Sequence, residues 1–285
     1  MYQAAERDRH TSSVRASRGV LHLEVECDVT TASQPVLICL LGGFRVEKSG
    51  AEVPLRSVGK SAILLSSLAL RDRYRASRES LLETLWPDGD EARAAHSLNS
   101  LIHALRQKLG NALSGKPPVV YSAGSYQLNV DAGVGVDIAN FDGLVRAADR
   151  QLAIGDITAA VGRWQEAVEI YRGDLSASDD LRTIVERERL RAAHLTLLGR
   201  LADHYLNECD YRVALRYALR LLAHDPCRED AHRQVMRCHV RLGERAQALH
   251  QYRLCQRILA VEFGVLPEQI TNALFDRVRL DPGAI

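Results

Sequence analysis

Ala92-Arg93-Ala94-Ala95-His96-Ser97-Leu98-Asn99-Ser100-Leu101-Ile102-His103-Ala104-Leu105-Arg106-Gln107-Lys108-Leu109 is the stretch on which the fold turns. Leu98, Ile102, Leu105 and Leu109 recur at the spacing of one buried helical stripe. At about 100° per residue, Arg93, His96, Ser100, His103 and Gln107 then face outward, with Asn99 and Arg106 flanking them. Side chains of these types donate to phosphates and base edges, and a helix of this size fits a DNA major groove. Any surface helix carries a polar outer face, so position must decide. This helix is the last before a hairpin, Val119-Val120-Tyr121 and Ser125-Tyr126-Gln127-Leu128, turned at Ser122-Ala123-Gly124. An acid-rich turn, Asp88-Gly89-Asp90-Glu91, precedes it.

Upstream, Val36 to Leu41 reads as a short apolar strand, broken at Gly42-Gly43 and resumed as Phe44-Arg45-Val46. Lys48-Ser49-Gly50 turns it, and Ala51 to Leu55 pairs back. Lys60 to Leu70 is a core helix carrying Ile63, Leu64, Leu65 and Leu68. Ser77 caps a second helix that stops before Trp86-Pro87. Strands, three helices and a terminal hairpin describe an α+β winged helix-turn-helix over residues 35–134. Arg73, Arg75, Arg78, Lys108 and Lys116 are its candidate phosphate contacts.

Beyond Val136-Asp137 the chain reads as helical, and it repeats. Aligning Gly155-Asp156, Cys209-Asp210 and Gly243-Glu244 superimposes Ala160, Ala214 and Ala248, and likewise Trp164, Ala218 and Tyr252. The last two anchors are 34 residues apart, the tetratricopeptide period, whereas the first interval is 54. A loop from Arg172 to Asp180 and a longer helix account for the extra residues. The expected second domain, 135–285, is thus an all-α, tetratricopeptide-like array. Residues 1–34 read as a mobile tail with at most one strand, at Val20 to Val25.

The chain has 285 residues, 46% hydrophobic and 26% charged, enough for two cores. Its formal charge is +1, but residues 36–130 hold twelve basic against eight acidic residues, and 137–285 hold 21 against 22. The basic surplus is modest and N-terminal, which permits a nucleic-acid surface. No run approaches the roughly 18 apolar residues of a membrane span, and Met1 to Arg18 has no apolar signal region. The six cysteines form no C-x-x-C pair and read as reduced packing residues. A cytoplasmic protein that meets no membrane is expected.

Enzyme signatures come out poorly. Gly59-Lys60-Ser61 resembles the end of a phosphate loop, yet Pro54 stands where that loop requires glycine. Ser57 and Lys60 match a serine acylase only in spacing. The ten histidines show no metal-binding spacing. No catalytic group, metal or cofactor is expected.

Leu41-Gly42-Gly43-Phe44-Arg45-Val46, Leu81-Leu82-Glu83-Thr84-Leu85-Trp86-Pro87 and Leu105-Arg106-Gln107-Lys108-Leu109 resemble an OmpR-type winged helix, most closely that of the SARP and AfsR group of activators. Phe141, Tyr171-Arg172-Gly173-Asp174-Leu175, Arg228-Glu229, Tyr252-Arg253 and Glu262-Phe263-Gly264-Val265 resemble that group's bacterial transcriptional activator domain. The resemblance implies sequence-specific binding of double-stranded DNA, often as side-by-side protomers or a homodimer on direct repeats, and recruitment of RNA polymerase near the nucleoid. It gives the major groove to Ala92–Leu109, with Ser97 among its contacts. It gives the minor groove or its phosphates to the wing, through Tyr121, Ser122, Ser125 and Gln127, and polymerase to Asp88, Asp90 and Glu91. Ala95, Ala104, Ser122 and Gln127 stand where the group commonly carries arginine, which implies weaker phosphate binding by one protomer. Two other readings remain open: a repeat-based protein-interaction module with a degenerate winged helix, and a sensor using a face near Tyr205, Tyr217, His239 and Tyr252.

Overall fold

A computed structural model describes residues 34–57, 59–177 and 180–284. The expected tail, including the Val20 to Val25 strand, lies outside the described residues apart from Gln34. The chain begins as a meander of β1 (Val36–Cys39), β2 (Arg45–Lys48) and β3 (Ala51–Val53). There follow α1 (Lys60–Ala69), β4 (Arg75–Ser77), α2 (Arg78–Leu85) and α3 (Glu91–Leu109). The wing is β5 (Val119–Ser122) and β6 (Ser125–Leu128), and β4 completes its sheet in the order β4-β6-β5. Caps set both helix starts: the Ser77 hydroxyl accepts from the Ser80 amide at 3.1 Å, and the Asp90 carboxylate from the Arg93 amide at 3.0 Å. Leu98, Leu105 and Leu109 are buried as the stripe requires, while Ile102 is half-buried and turns toward the wing.

The junction with the helical half is more elaborate than the sequence suggests. A strand absent from the sequence reading, β7 (Val134–Val136), straddles the expected boundary and pairs in parallel with β1, giving the order β3-β2-β1-β7. Asp137 follows at once, 2% exposed, and one carboxylate oxygen accepts from the amides of Leu40 (2.8 Å) and Leu41 (2.9 Å). From the other side, the Gly42 amide donates to the Asp174 carbonyl at 3.1 Å and the Ser176 amide to the Leu40 carbonyl at 3.0 Å, around a Leu41–Leu175 bridge. Gly42 sits at φ +81°, and a Cβ there would lie 2.7 Å from the Arg172 carbonyl carbon, so only glycine fits. Val36, Leu64, Leu98, Phe141, Trp164 and Leu197 share one buried core, which therefore runs through both halves.

The helical half comprises α4 (Asp137–Ala153), α5 (Ile157–Ile170), α6 (Leu181–Asn207), α7 (Tyr211–His224), α8 (Glu229–Arg241), α9 (Arg245–Phe263) and α10 (Gln269–Leu280). The three aligned turns are the same turn. Gly155, Cys209 and Gly243 take φ of 81°, 61° and 80°. The amides of Asp156, Asp210 and Glu244 each reach back five residues, to Gln151, Tyr205 and His239, at 2.9, 2.9 and 2.7 Å. Ala160, Ala214 and Ala248 are buried, letting the helices approach closely. The third copy departs at one point: Glu244 does not cap its helix, and its carboxylate lies 2.7 Å from the His239 Nδ1. Tyr205 and Tyr217 stack at 5.8 Å and share Gln165, whereas Tyr252 stacks on Phe275 at 4.1 Å. The four residues of the sensor reading are therefore engaged in three different packing arrangements: Tyr205 with Tyr217, Tyr252 with Phe275, and His239 with Glu244.

Candidate nucleic-acid interface

The outer face of α3 is built by the stripe beneath it. With Leu98, Leu105 and Leu109 in the core, Arg93, His96, Asn99, Ser100, His103, Arg106 and Gln107 are all exposed, and Ser97 is half-buried at the edge. Ser100 turns its hydroxyl back to the His96 carbonyl at 3.1 Å.

The wing stands beside this helix. Arg78, Asn99, Ile102, Tyr121 and Tyr126 line one open cleft of about 360 Å³ between α2, α3 and the wing. Tyr126 is the buried floor, its hydroxyl 3.5 Å from the Asn99 side-chain oxygen. Tyr121 is 56% exposed and leans on Tyr126 with ring centroids 4.7 Å apart. Burial pushes the Tyr126 phenol above its ordinary pKa and Arg78 pulls the other way, so the hydroxyl keeps its proton as a donor. The cleft combines a cation, amide and phenol donors and an exposed ring, the chemistry that a sugar–phosphate strand meets on proteins.

The remaining candidates divide. Arg78 lies in the cleft. Arg73 is exposed in a turn where it and Tyr74 both adopt positive φ, 53° and 56°. Arg75 points at the wing tip, donating to the carbonyls of Ser122 (3.4 Å) and Ala123 (3.2 Å), so it braces the hairpin turn. Lys108 is carried to the far end of α3, where its ammonium reaches the Pro54 carbonyl at 3.5 Å and its own carbonyl accepts from Lys48. Lys116 is exposed in the turn after that same end, away from the cleft. In the wing, Ser122 is exposed, Ser125 and Gln127 are half-buried, and Ser77 and Arg75 face them across β4. Asp88 and Glu91 are exposed, while Asp90 is occupied as the helix cap. Sequence reading missed Ile102 and Tyr126 as cleft residues. The signal for Tyr126 was the wing alternation, which puts it on the same face as Leu128, whereas Ile102 was hidden in the apolar stripe of α3.

Among the described residues no group of three or more His, Cys, Asp or Glu side chains is placed to hold a metal ion, and no helix is long and apolar enough to cross a membrane.

Comparison with known proteins agrees with this architecture. Regulatory protein AfsR of Streptomyces coelicolor is 27% identical over 245 residues, covering 85% of this chain and 24% of AfsR. Regulatory protein DnrI of Streptomyces peucetius is 26% identical over 256 residues, covering 86% of this chain and 93% of DnrI. The chain thus spans about a quarter of the AfsR proteins and nearly all of DnrI. Mycobacterium tuberculosis EmbR has the same fold, with a TM-score of 0.65 at 22% identity over 88% of this chain and 67% of its own. Residues 136–279, half of the sequence, match the family described as the bacterial transcriptional activator domain, and the chain belongs to that family.

Proposed function

We propose that this protein is a sequence-specific DNA-binding regulator of transcription, acting as an activator. The observation that carries the reading is the shared cleft: the polar face of α3, Arg78 at the start of α2 and the Tyr121–Tyr126 pair of the wing converge on one surface. In this reading α3 enters the major groove and offers Arg93, His96, Ser97, Asn99, Ser100, His103, Arg106 and Gln107 to bases and flanking phosphates. Arg78 and Arg73 meet the backbone, with Lys108 and Lys116 reserved for a bent or extended site. Tyr121, Ser122, Ser125 and Gln127 lie along the neighbouring minor groove. The regulatory relatives support this over a repeat-only interaction protein.

The finer assignments rest on the same reading. Asp88 and Glu91, exposed beside the cap Asp90, present negative charge for RNA polymerase. Protomers side by side on direct repeats, or a homodimer, would offset the sparse cations of a single wing. The protein works in the cytoplasm at the nucleoid, needs no cofactor and is not an enzyme.

Capture of genomic fragments with the intact chain, followed by sequencing, tests the reading. The parent should enrich a shared motif that the Arg93→Ala, His96→Ala, His103→Ala triple variant loses, because each lost base contact costs about 1–3 kcal/mol. Failure of the parent to enrich any sequence at low salt would overturn it.

A further inference from the structure

Asn99 is the residue of the α3 face whose hydrogen-bonding choices the fold restricts. Tyr126 beneath it is 7% exposed, and a buried hydroxyl needs a partner. The partner it has among the described residues is the Asn99 Oδ1, to which it donates at 3.5 Å. The ring that carries this hydroxyl is held on both sides, by Ala76 across β4 and by Tyr121 across β5, with the two tyrosine centroids 4.7 Å apart. An asparagine side chain carries one acceptor oxygen and one amine with two donors, set apart in one plane. Fixing the oxygen on the buried tyrosine turns the Asn99 amine away from the cleft floor, and that amine makes no hydrogen bond among the described residues. Ile102 stands three residues on, where side chains of one helix are neighbours, and lines the same cleft. The cleft therefore sets a donor beside an apolar surface.

We infer that this cleft reads a thymine, with Asn99 donating to the base's O4, Ile102 covering its 5-methyl group, and Tyr126 acting as the positioning residue that decides what Asn99 can read. The inference rests on the DNA-binding reading proposed above. Each base shows a distinct edge in the major groove, and three of the four fit this pair poorly. Adenine is read by asparagine through both amide groups, the oxygen taking the N6 amine and the nitrogen meeting N7, and an oxygen anchored on Tyr126 is withheld from it. Cytosine presents an amine, which would meet the Asn99 amine donor to donor. Guanine presents two acceptors and no apolar group, which would leave Ile102 against a polar edge. Thymine sets an acceptor next to a methyl. Arg78, on the α2 side of the cleft, then remains for an adjoining phosphate.

The test uses the intact chain and the duplex it enriches from genomic DNA, with affinity read by fluorescence anisotropy. Each thymine is replaced singly by deoxyuridine, which keeps O4 and lacks only the methyl, and each thymine·adenine pair is separately inverted. At one thymine of the site, deoxyuridine should weaken binding by the parent about fourfold, the worth of one buried methyl, and inversion should weaken it about tenfold or more. Ile102→Val and then Ile102→Ala should shrink the deoxyuridine effect at that thymine stepwise toward none. Tyr126→Phe keeps the ring and releases the Asn99 oxygen, so the original and inverted duplexes should come close to equal affinity. All of these are ratios between duplexes within one variant, which a loss of stability alone does not move. A parent that enriches no sequence would overturn the DNA-binding reading and this inference with it. A parent that binds its site with no deoxyuridine effect at any thymine, an effect that survives Ile102→Ala, or a thymine preference unmoved by Tyr126→Phe would overturn this inference and leave that reading standing.

Discussion

His194 should make this protein acid-labile in a way one substitution removes. Its imidazole is 1% exposed on α6, stacked on Tyr171 with centroids 4.1 Å apart and edge-on to His224 at 5.3 Å. Neither ring nitrogen has a hydrogen-bond partner. Burial foremost, with His224 and Arg220 adding to it and Asp174 opposing weakly, pushes its pKa from 6.5 down to about 3. The folded ring therefore binds a proton less readily than the unfolded one. Its stabilising effect is complete above pH 6.5 and is lost as pH falls toward 3. At 1.36 kcal/mol per pH unit, the loss between pH 7 and pH 4.5 is about 2.5 kcal/mol. His194→Phe keeps the stack on Tyr171 and removes both unpartnered nitrogens. Urea unfolding at the two pH values should show a stability difference smaller by about 2.5 kcal/mol in the variant, because the carboxylates and His232 titrate alike in both proteins. Were the variant to lose as much stability as the parent over that range, the buried neutral imidazole would not be the source.

Three further substitutions probe the frame that holds the cleft. Asp137→Ala leaves the amides of Leu40 and Leu41 buried without an acceptor, at about 1–3 kcal/mol each, and should lower the urea midpoint accordingly. Gly42→Ala combines φ +81° with a Cβ 2.7 Å from the Arg172 carbonyl carbon, and should destabilise by at least about 2 kcal/mol by thermal denaturation. Cys209→Gly runs the other way: it puts glycine at φ 61°, where the aligned turns already have it, and should raise stability by about 0.5–1 kcal/mol.

The outward face of α3, the wing and the repeat were legible because each rests on local periodicity. Leu98, Leu105 and Leu109 announce which side of α3 is buried, and the turn at Ser122-Ala123-Gly124 announces the wing. The alignment of Cys209 with Gly155 and Gly243 marks a turn that all three residues make at positive φ. What stayed hidden depends on distant partners. Val134-Gly135-Val136 is too short to show a period, and its strand identity comes from β1, nearly a hundred residues earlier. Arg75 looked like a phosphate contact because exposure and charge are local properties, while the carbonyls of Ser122 and Ala123 that engage it are brought near only by β4–β6 pairing. Asp137 hides its role for the same reason: its partners are backbone amides, which no side-chain pattern reveals.

The joint also constrains how the halves work together. Tyr74, in the strained turn before β4, is half-buried near Asp142 and Arg146 of α4, and Asp142 is gripped by Arg189 of α6 at 2.9 Å. β4 in turn pairs with the wing, and Arg75 braces its tip. A continuous chain of packed and hydrogen-bonded groups thus joins α6 to the wing, beside the β1–β7 pairing and the Gly42–Asp174 contact. The Tyr171–His194 stack lies next to that contact in sequence and space, since Tyr171 begins the loop that reaches Gly42 and its hydroxyl holds Asp174 at 2.7 Å. The folded ring stays neutral until the pH falls toward 3, so the acid sensitivity argued for this one ring is a cost that appears on unfolding, when the loop that locks the two halves together opens and the imidazole can take up a proton.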